Sequence, residues 1–202
     1  RLKTILFLKN FHYSKIVFHD IDDACSSNRI QISVDLLKKN SVVFNDIHCI
    51  KKKIIKKNFF SIFFSNYEKV NYKKIVKQNF IGFTNSAVNK KVLKKINFPN
   101  QVPNDLVFDW YLWSRILFHY KAIFTNKCIS YYNVNRNSIT NLPINMSKKY
   151  VKEVIKVKKI FYNYMKKYDK IYRYELLKLE NHKKNVISSK KTNFSWWGIN
   201  EN

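Results

Sequence analysis

Glycine is almost missing from this sequence: two residues among 202, with three prolines and three cysteines beside them. Composition this poor in glycine and proline leaves no glycine–serine linker, and no internal repeat is visible. Cys25, Cys49 and Cys128 are odd in number, widely spaced and without a CxxC pair. They fit reduced thiols in a cytosolic protein better than a disulfide framework or a zinc site. No uninterrupted apolar run approaches the roughly 18 residues that a membrane-spanning helix requires, and no signal peptide is visible. The chain opens on Arg1 rather than an initiator methionine, so an N-terminal portion is expected to be missing. Carboxylates are scarce too, 13 Asp and Glu against 39 Lys and Arg, for a formal net charge of +26.

What is abundant is Lys, Asn, Ile, Tyr and Phe, the set that A+T-rich codons produce. Whatever its origin, the charge attracts nucleic acid, anionic lipid or phosphorylated substrates. Hydrophobic residues make up 46% and aromatics 16%, enough for a sizeable core in one domain, or one domain with an appendage.

The apolar run of "YSKIVFHD" reads as a short strand, and "SSNRIQISVDLLKKN" as a helix with Ile30, Val34 and Leu37 inward and Ser26 or Ser27 as cap. "SVVFNDI" reads as a second strand and "FFSIFF" as a third. "NFIGFTNSAVNKKVLKKINF" passes from a strand containing Gly82 into a helix with Val88, Val92 and Ile96 inward. Pro99 and Pro103 mark a loop, "FDWYLWSRILFHY" a helix, and "KAIFT" and "CISYY" two short strands. Alternation of strands and helices predicts an α/β domain. Beyond Pro143, Tyr150, Val154, Val157, Phe161, Tyr164, Tyr168 and Ile171 recur at spacings of four and three, predicting an amphipathic helix of several turns. Such a helix packs on the domain, rests on an anionic membrane, or self-associates. The terminal "NFSWWGINEN" has no assignable pattern.

In this basic chain, "IVFHDIDDACSSNRI" gathers three carboxylates, Asp20, Asp22 and Asp23, at the end of an apolar strand. Ligands of open α/β sheets bind beyond the carboxyl ends of strands. Residues two apart on a strand share a face, so Asp20 and Asp22 are expected to converge, with Asp23 opening the turn. Neighbouring carboxylates repel unless a cation or a proton relieves them, and oxygen-only ligands suit Mg²⁺ or Mn²⁺ with substrate phosphates. A plain Asp-rich turn is the structural alternative. Two enzyme classes place aspartates this way. A haloacid-dehalogenase-type phosphatase uses DxDx(T/V), but Ala24 occupies its hydroxyl or branched position and no acidic pair follows. A nucleotide-sugar transferase uses DxD or DxDD.

"IVFHDIDDACSSNRI" resembles the "fxDxDDxxxpxRl" segment of family-2 glycosyltransferases. "FDWYLWSRILFHYKAIFT" is similar to that family's "eDwxlwxRlxxxgxx" helix, matching at Asp109, Trp110, Leu112, Trp113 and Arg115. "NFIGFTNSAVNKKVLKKINFP" and "YYNVNRNSIT" resemble its glycine-containing strand with following helix and its closing "YRxHxxSxT". The resemblance spans Lys15 to Thr140. It implies a partial GT-A fold, a Rossmann-like mixed sheet flanked by helices, over residues 1–142, with a lysine-rich amphipathic helical extension over 143–202.

By the same resemblance Asp20, Asp22 and Asp23 contact the donor nucleotide, and Asp22 and Asp23 hold a divalent ion on its diphosphate, Mg²⁺ or Mn²⁺. Asp109 matches the catalytic base of inverting members, and Trp110 and Arg115 support the site and hold its helix. Asn133 and Asn135 stand where the family's closing segment has arginine and histidine, leaving Arg136 as the basic residue available there. The family's opening strand, "vSviiptyN", has no counterpart before Lys15. The implied activity is a metal-dependent hexosyl transfer from a nucleotide-sugar donor to a glycan or lipid-linked acceptor in surface polysaccharide synthesis. The implied location is cytoplasmic, with the basic helix suited to peripheral attachment on the inner face of an anionic plasma membrane. A basic nucleic-acid-binding module explains the charge but neither "DIDD" nor "FDWYLWSR", and no nucleic-acid motif is present. An inactive, truncated transferase remnant is the third reading.

Overall fold

Branched and aromatic residues at consecutive positions of "VVFNDI" give a strand that is buried on both faces, as the middle of a sheet requires. In the computed structural model, which describes residues 2–97, 107–134 and 148–188, this is β3 (Val42–Lys51), buried without interruption from Val42 to Ile47. Beside it runs β7 (Ala122–Asn133) in parallel register, Val42 opposite Ala122 and Ile50 opposite Asn133. The register jumps after Asn45, which faces Thr125 while Asp46 faces Ile129. The expected "KAIFT" and "CISYY" strands are therefore one strand interrupted by a bulge.

Short strands complete the sheet, all antiparallel to their neighbours. On the outer side of β3 lie β6 (Ser86–Asn89) and, further along, β4 (Lys53–Lys56). On the outer side of β7 lie β5 (Lys69–Val70) and β2 (Ala24–Cys25), and β1 (Lys15–Val17) pairs with β6. The spatial order is β1-β6-β3-β7-β2.

Helices cover both faces. Alternation along a strand sends Val42 and Phe44 to one side and Val43 to the other. The first side is the main core, where Phe44, Phe80 and Phe124 meet Leu112, Trp113 and Ile116 of α5 (Phe108–His119). The second side is a smaller cluster of Leu37, Val43, Ala87 and Ile123 next to α2 (Arg29–Leu36). Five shorter or later helices finish the described architecture: α1 (Leu2–Leu8), α3 (Tyr72–Lys77), α4 (Lys90–Lys95) and the pair α6 (Lys148–Met165) and α7 (Lys170–Ser188). The result is an α/β fold with a mixed sheet flanked by helices. No described helix is long and apolar enough to cross a membrane.

Several local expectations change. In α2 the inward face is Arg29, Ser33 and Leu37, and Ile30 is 61% exposed; the helix turns its polar residues to the sheet because Arg29 finds acceptors there. "FFSIFF" is a turn, not a strand. Gly82 lies in the loop before β6, whereas Val88, Val92 and Ile96 are buried as the spacing predicts. The long C-terminal pattern is two helices, broken where Asp169 accepts from the Ile171 amide at 2.8 Å. Val154, Val157 and Phe161 of α6 are buried, while Tyr164 and Tyr168 are exposed. Tyr162 donates its hydroxyl to the Val76 carbonyl at 2.8 Å, and Phe161 packs edge-on to Trp110, ring centroids 5.3 Å apart. Only the inner part of the α6 stripe, Val154, Val157 and Phe161, is thus spent on the domain. The side chain of Tyr150, Pro99, Pro103, and the "NFSWWGINEN" tail lie outside the described residues.

Candidate active site

β1 ends at Val17, and the Phe18 amide still donates to the Ser86 carbonyl at 3.0 Å before the chain leaves the sheet. The aspartates that follow sit in a turn, closed by the Asp23 amide donating to the Asp20 carbonyl at 3.2 Å. Strand alternation does not hold in a turn, so Asp20 and Asp23 converge, while Asp22 stands exposed beside the fully exposed Ile21. The meeting point is Thr84, whose hydroxyl lies 2.9 Å from Asp20 Oδ2 and also contacts Asp23 Oδ2. Pairing of β2 with the far half of β7 brings Asp23 Oδ1 to the Asn133 amide at 2.8 Å. The turn therefore lies at the carboxyl end of the parallel pair, where open sheets bind ligands.

Burial pushes the Asp23 carboxyl above its ordinary range; the Thr84 and Asn133 hydrogen bonds pull it back, and the Asp22 and Asp20 charges add to the rise. One hydroxyl proton cannot serve two carboxylates, so the pair attracts a further proton or a cation. Among the described residues no group of three His, Cys, Asp or Glu side chains is placed to hold a metal ion. Two converging carboxylates fit the usual Mg²⁺ mode, in which phosphates and water complete the shell. They do not form an all-protein cage.

Asp109 lies in the first turn of α5, a position the helix dipole favours for a carboxylate. It is buried, its Oδ1 accepts from the Trp110 amide at 2.7 Å, and Asn79 Nδ2 approaches its Oδ2 at 3.4 Å. A Cβ added at Gly82 would lie 3.9 Å from Asp109 Oδ2 and 3.7 Å from Asn85 Oδ1. Asp109 therefore abuts the Gly82–Asn85 loop at one end, and Asp20 and Asp23 meet the same loop at Thr84.

That loop is held by residues that carry no pattern in the sequence. Gly82 donates its amide to Asn85 Oδ1 at 2.8 Å, and Asn85 Nδ2 donates to the Asn45 and Phe80 carbonyls. Ser130 donates to the Thr84 carbonyl at 2.8 Å and accepts from Asn45 Nδ2 at 2.9 Å. Arg29 is buried and donates to Asn45 Oδ1 at 3.0 Å and to the Phe18 carbonyl at 2.7 Å, fixing the start of the aspartate turn. Its position within the "fxDxDDxxxpxRl" match was the available signal; Thr84, Asn45, Asn85 and Ser130 offered none.

Trp110 is buried behind Asp109, donating Nε1 to the Ile75 carbonyl at 3.0 Å, with the Lys158 ammonium 5.0 Å from its ring. Arg115 donates to the Asn97 carbonyl at 2.8 Å, tying α5 to the chain just after α4, and lies 5.9 Å from the Tyr111 and Tyr164 ring centroids. Arg136 lies outside the described residues.

No protein-family model matches the chain, and no curated protein matches it. The fold is similar to the crystal structure of S. aureus TarS 1-349 in complex with UDP-GlcNAc, with a TM-score of 0.52 and 12% identity over 76% of this chain. The crystal structure of S. aureus TarS 1-349 alone gives a TM-score of 0.48, also at 12% identity over 76% of this chain. The chain spans 44% of the first and 42% of the second. At this identity the likeness is one of fold, and the fold is glycosyltransferase-like.

Proposed function

We propose that this chain is part of a sugar transferase that moves a sugar from a nucleoside-diphosphate donor to a hydroxyl of a glycan or lipid-linked acceptor, with inversion, in surface polysaccharide synthesis. The observation that carries the reading is the Gly82–Asn85 loop, which joins the Asp20–Asp23 pair to Asp109 at the carboxyl end of the parallel strands. In a glycosyltransferase-like fold, these are the two functions that a single displacement requires.

The acceptor oxygen forms a bond to the anomeric carbon as the bond from that carbon to the donor phosphate oxygen breaks. Asp109 takes the acceptor hydroxyl's proton as it attacks. Its burial and its place on the first turn of α5 fix the carboxylate for that task. Asp20 and Asp23 face the departing diphosphate, and Thr84 and the Asn133 amide hold them in place. A bound Mg²⁺ or Mn²⁺ supplies the positive charge that offsets the diphosphate's developing negative charge. Arg29 keeps the aspartate turn against the sheet, and Trp110 keeps α5 in register behind Asp109.

UDP-GlcNAc is the first donor to try, since it is the ligand of the similar TarS structure. Release of UDP by this chain with Mn²⁺ and an acceptor panel is the assay. Asp109→Asn is expected to reduce turnover by about 10²–10⁴-fold, the usual contribution of a general base, with little change in donor KM. Equal turnover in Asp109→Asn and the parent would remove Asp109 from the mechanism, and no donor turnover at all would favour an inactive remnant.

A further inference from the structure

Away from the aspartates, the turn Phe59–Phe64 is clamped from within by a buried carboxylate. Asp46 Oδ1 accepts from the Phe60 amide at 2.7 Å, and Oδ2 from the Ser61 amide at 3.2 Å and from the Ser61 hydroxyl. The clamp sorts the turn's apolar side chains. Phe60 and Phe64 are buried, whereas Ile62 is 68% and Phe63 44% exposed. Between this turn and α3 opens a cavity of about 240 Å³ lined by Phe60, Phe63, Phe64, Phe80, Lys74 and Lys77. It is smaller than the roughly 300–1,000 Å³ of ordinary small-molecule sites, so a nucleotide sugar does not fit there.

The surroundings are one-signed. Residues 51–78 contain nine lysines and a single acidic residue, Glu68. Lys74 pairs with Glu68 at 2.5 Å and lies 4.9 Å from the Phe64 ring. Lys73 and Lys77 are exposed and make no ion pair among the described residues.

We propose that this turn and the lysines of α3 seat the protein on an anionic lipid bilayer. Ile62 and Phe63 enter the acyl boundary, Lys73 and Lys77 meet headgroup phosphates, and the phenylalanine cavity takes the end of one lipid chain. Projecting apolar tips ringed by cations are the pattern of interfacial anchors. A free phosphate gains nothing from Ile62 and Phe63, and an apolar protein segment gains nothing from the lysines. Val154, Val157 and Phe161 of α6 are already buried against the domain, whereas at the turn the exposed Ile62 and Phe63 stand at a cavity lined in part by Lys74 and Lys77. None of this depends on sugar transfer.

The test is flotation of the full chain with vesicles of phosphatidylcholine alone or mixed with phosphatidylserine, at low and high salt. Binding is expected only to the phosphatidylserine vesicles. Ile62→Ser with Phe63→Ser is expected to weaken it at least about tenfold, as loss of two inserting side chains implies. Lys77 is exposed although it lines the cavity, so Lys77→Glu remains informative if the double variant fails to fold; roughly a fivefold loss or more is expected. Thermal melts of each variant verify folding. Three results overturn the proposal: no binding to phosphatidylserine vesicles, binding that folded turn and Lys77 variants leave unchanged, or a dimer in light scattering that the turn variant dissolves.

Discussion

Thr84 has one hydroxyl proton and two carboxylates to serve, and the electrostatics of the site follow from that shortage. Burial holds the Asp23 carboxyl above its ordinary range, so the folded chain binds that proton more tightly than the unfolded chain does. The cost of ionising it is absent well below the unfolded value, grows as pH rises through the raised folded value, and is fully present at neutral pH. Asp23→Asn removes the charge while its carbonyl still accepts from the Asn133 amide and its NH₂ donates to Thr84. The expected outcome is a higher unfolding midpoint at pH 7, by about 2–4 °C for each kcal/mol relieved, with no gain below about pH 4. A lower midpoint at pH 7 would mean that the ionised carboxylate stabilises the fold. Thr84→Val is expected to cost about 1–2 kcal/mol, largely restored by Thr84→Ser, as read from denaturant unfolding. At this scale "DIDD" stood out because carboxylates are rare in the chain, and Asp109 because "FDWYLWSR" resembles the family-2 glycosyltransferase helix. Thr84 did not, since its partners lie 61 and 64 positions away and a loop threonine has no periodicity.

At the scale of elements, local pattern and tertiary demand part company in the Phe59–Phe64 turn. "FFSIFF" has the residues of a strand, but the buried Asp46 carboxylate on β3 draws the Phe60 and Ser61 amides into a turn. A charged acceptor of two amides and a hydroxyl outweighs intrinsic strand preference, which spans only about 1 kcal/mol. Asp46→Ala strands those donors and is expected to destabilise the chain by about 3 kcal/mol or more, read as a fall in denaturant midpoint with unchanged slope. A loss under about 1 kcal/mol would show that the turn holds without its clamp. Helix α2 makes the same point. Its spacing pointed Ile30 inward, yet Arg29 takes the inner face because Asn45 and the Phe18 carbonyl complete its hydrogen bonding. Helix α5 read true: its apolar residues run all round, and it is buried along nearly its whole length.

Across the whole molecule, alternating strands and helices made the α/β class legible, and the carboxylate-bearing turn lies where β7 ends, with Asp23 on the Asn133 amide. The parallel β3–β7 pair was not legible, because register and neighbour order arise from contacts some 80 residues apart. The charge of +26 has its own consequence. Only four ion pairs occur among the described residues, so self-repulsion is weakly compensated, and salt should screen it. The unfolding midpoint is expected to rise as NaCl is raised from low to moderate concentration, before any specific anion effect. A midpoint that falls would place the balance in those few pairs instead.

In the proposed reaction the Asp20–Asp23 pair grips the donor diphosphate, and Asp109 acts only on the acceptor's proton. Calorimetric titration of UDP-GlcNAc with Mn²⁺ into the parent chain, Asp23→Ala and Asp109→Asn tests that division directly. Binding is expected for the parent and for Asp109→Asn within about a factor of three, with loss of binding in a folded Asp23→Ala. Binding unchanged by Asp23→Ala, or abolished by Asp109→Asn in a folded chain, would contradict that division.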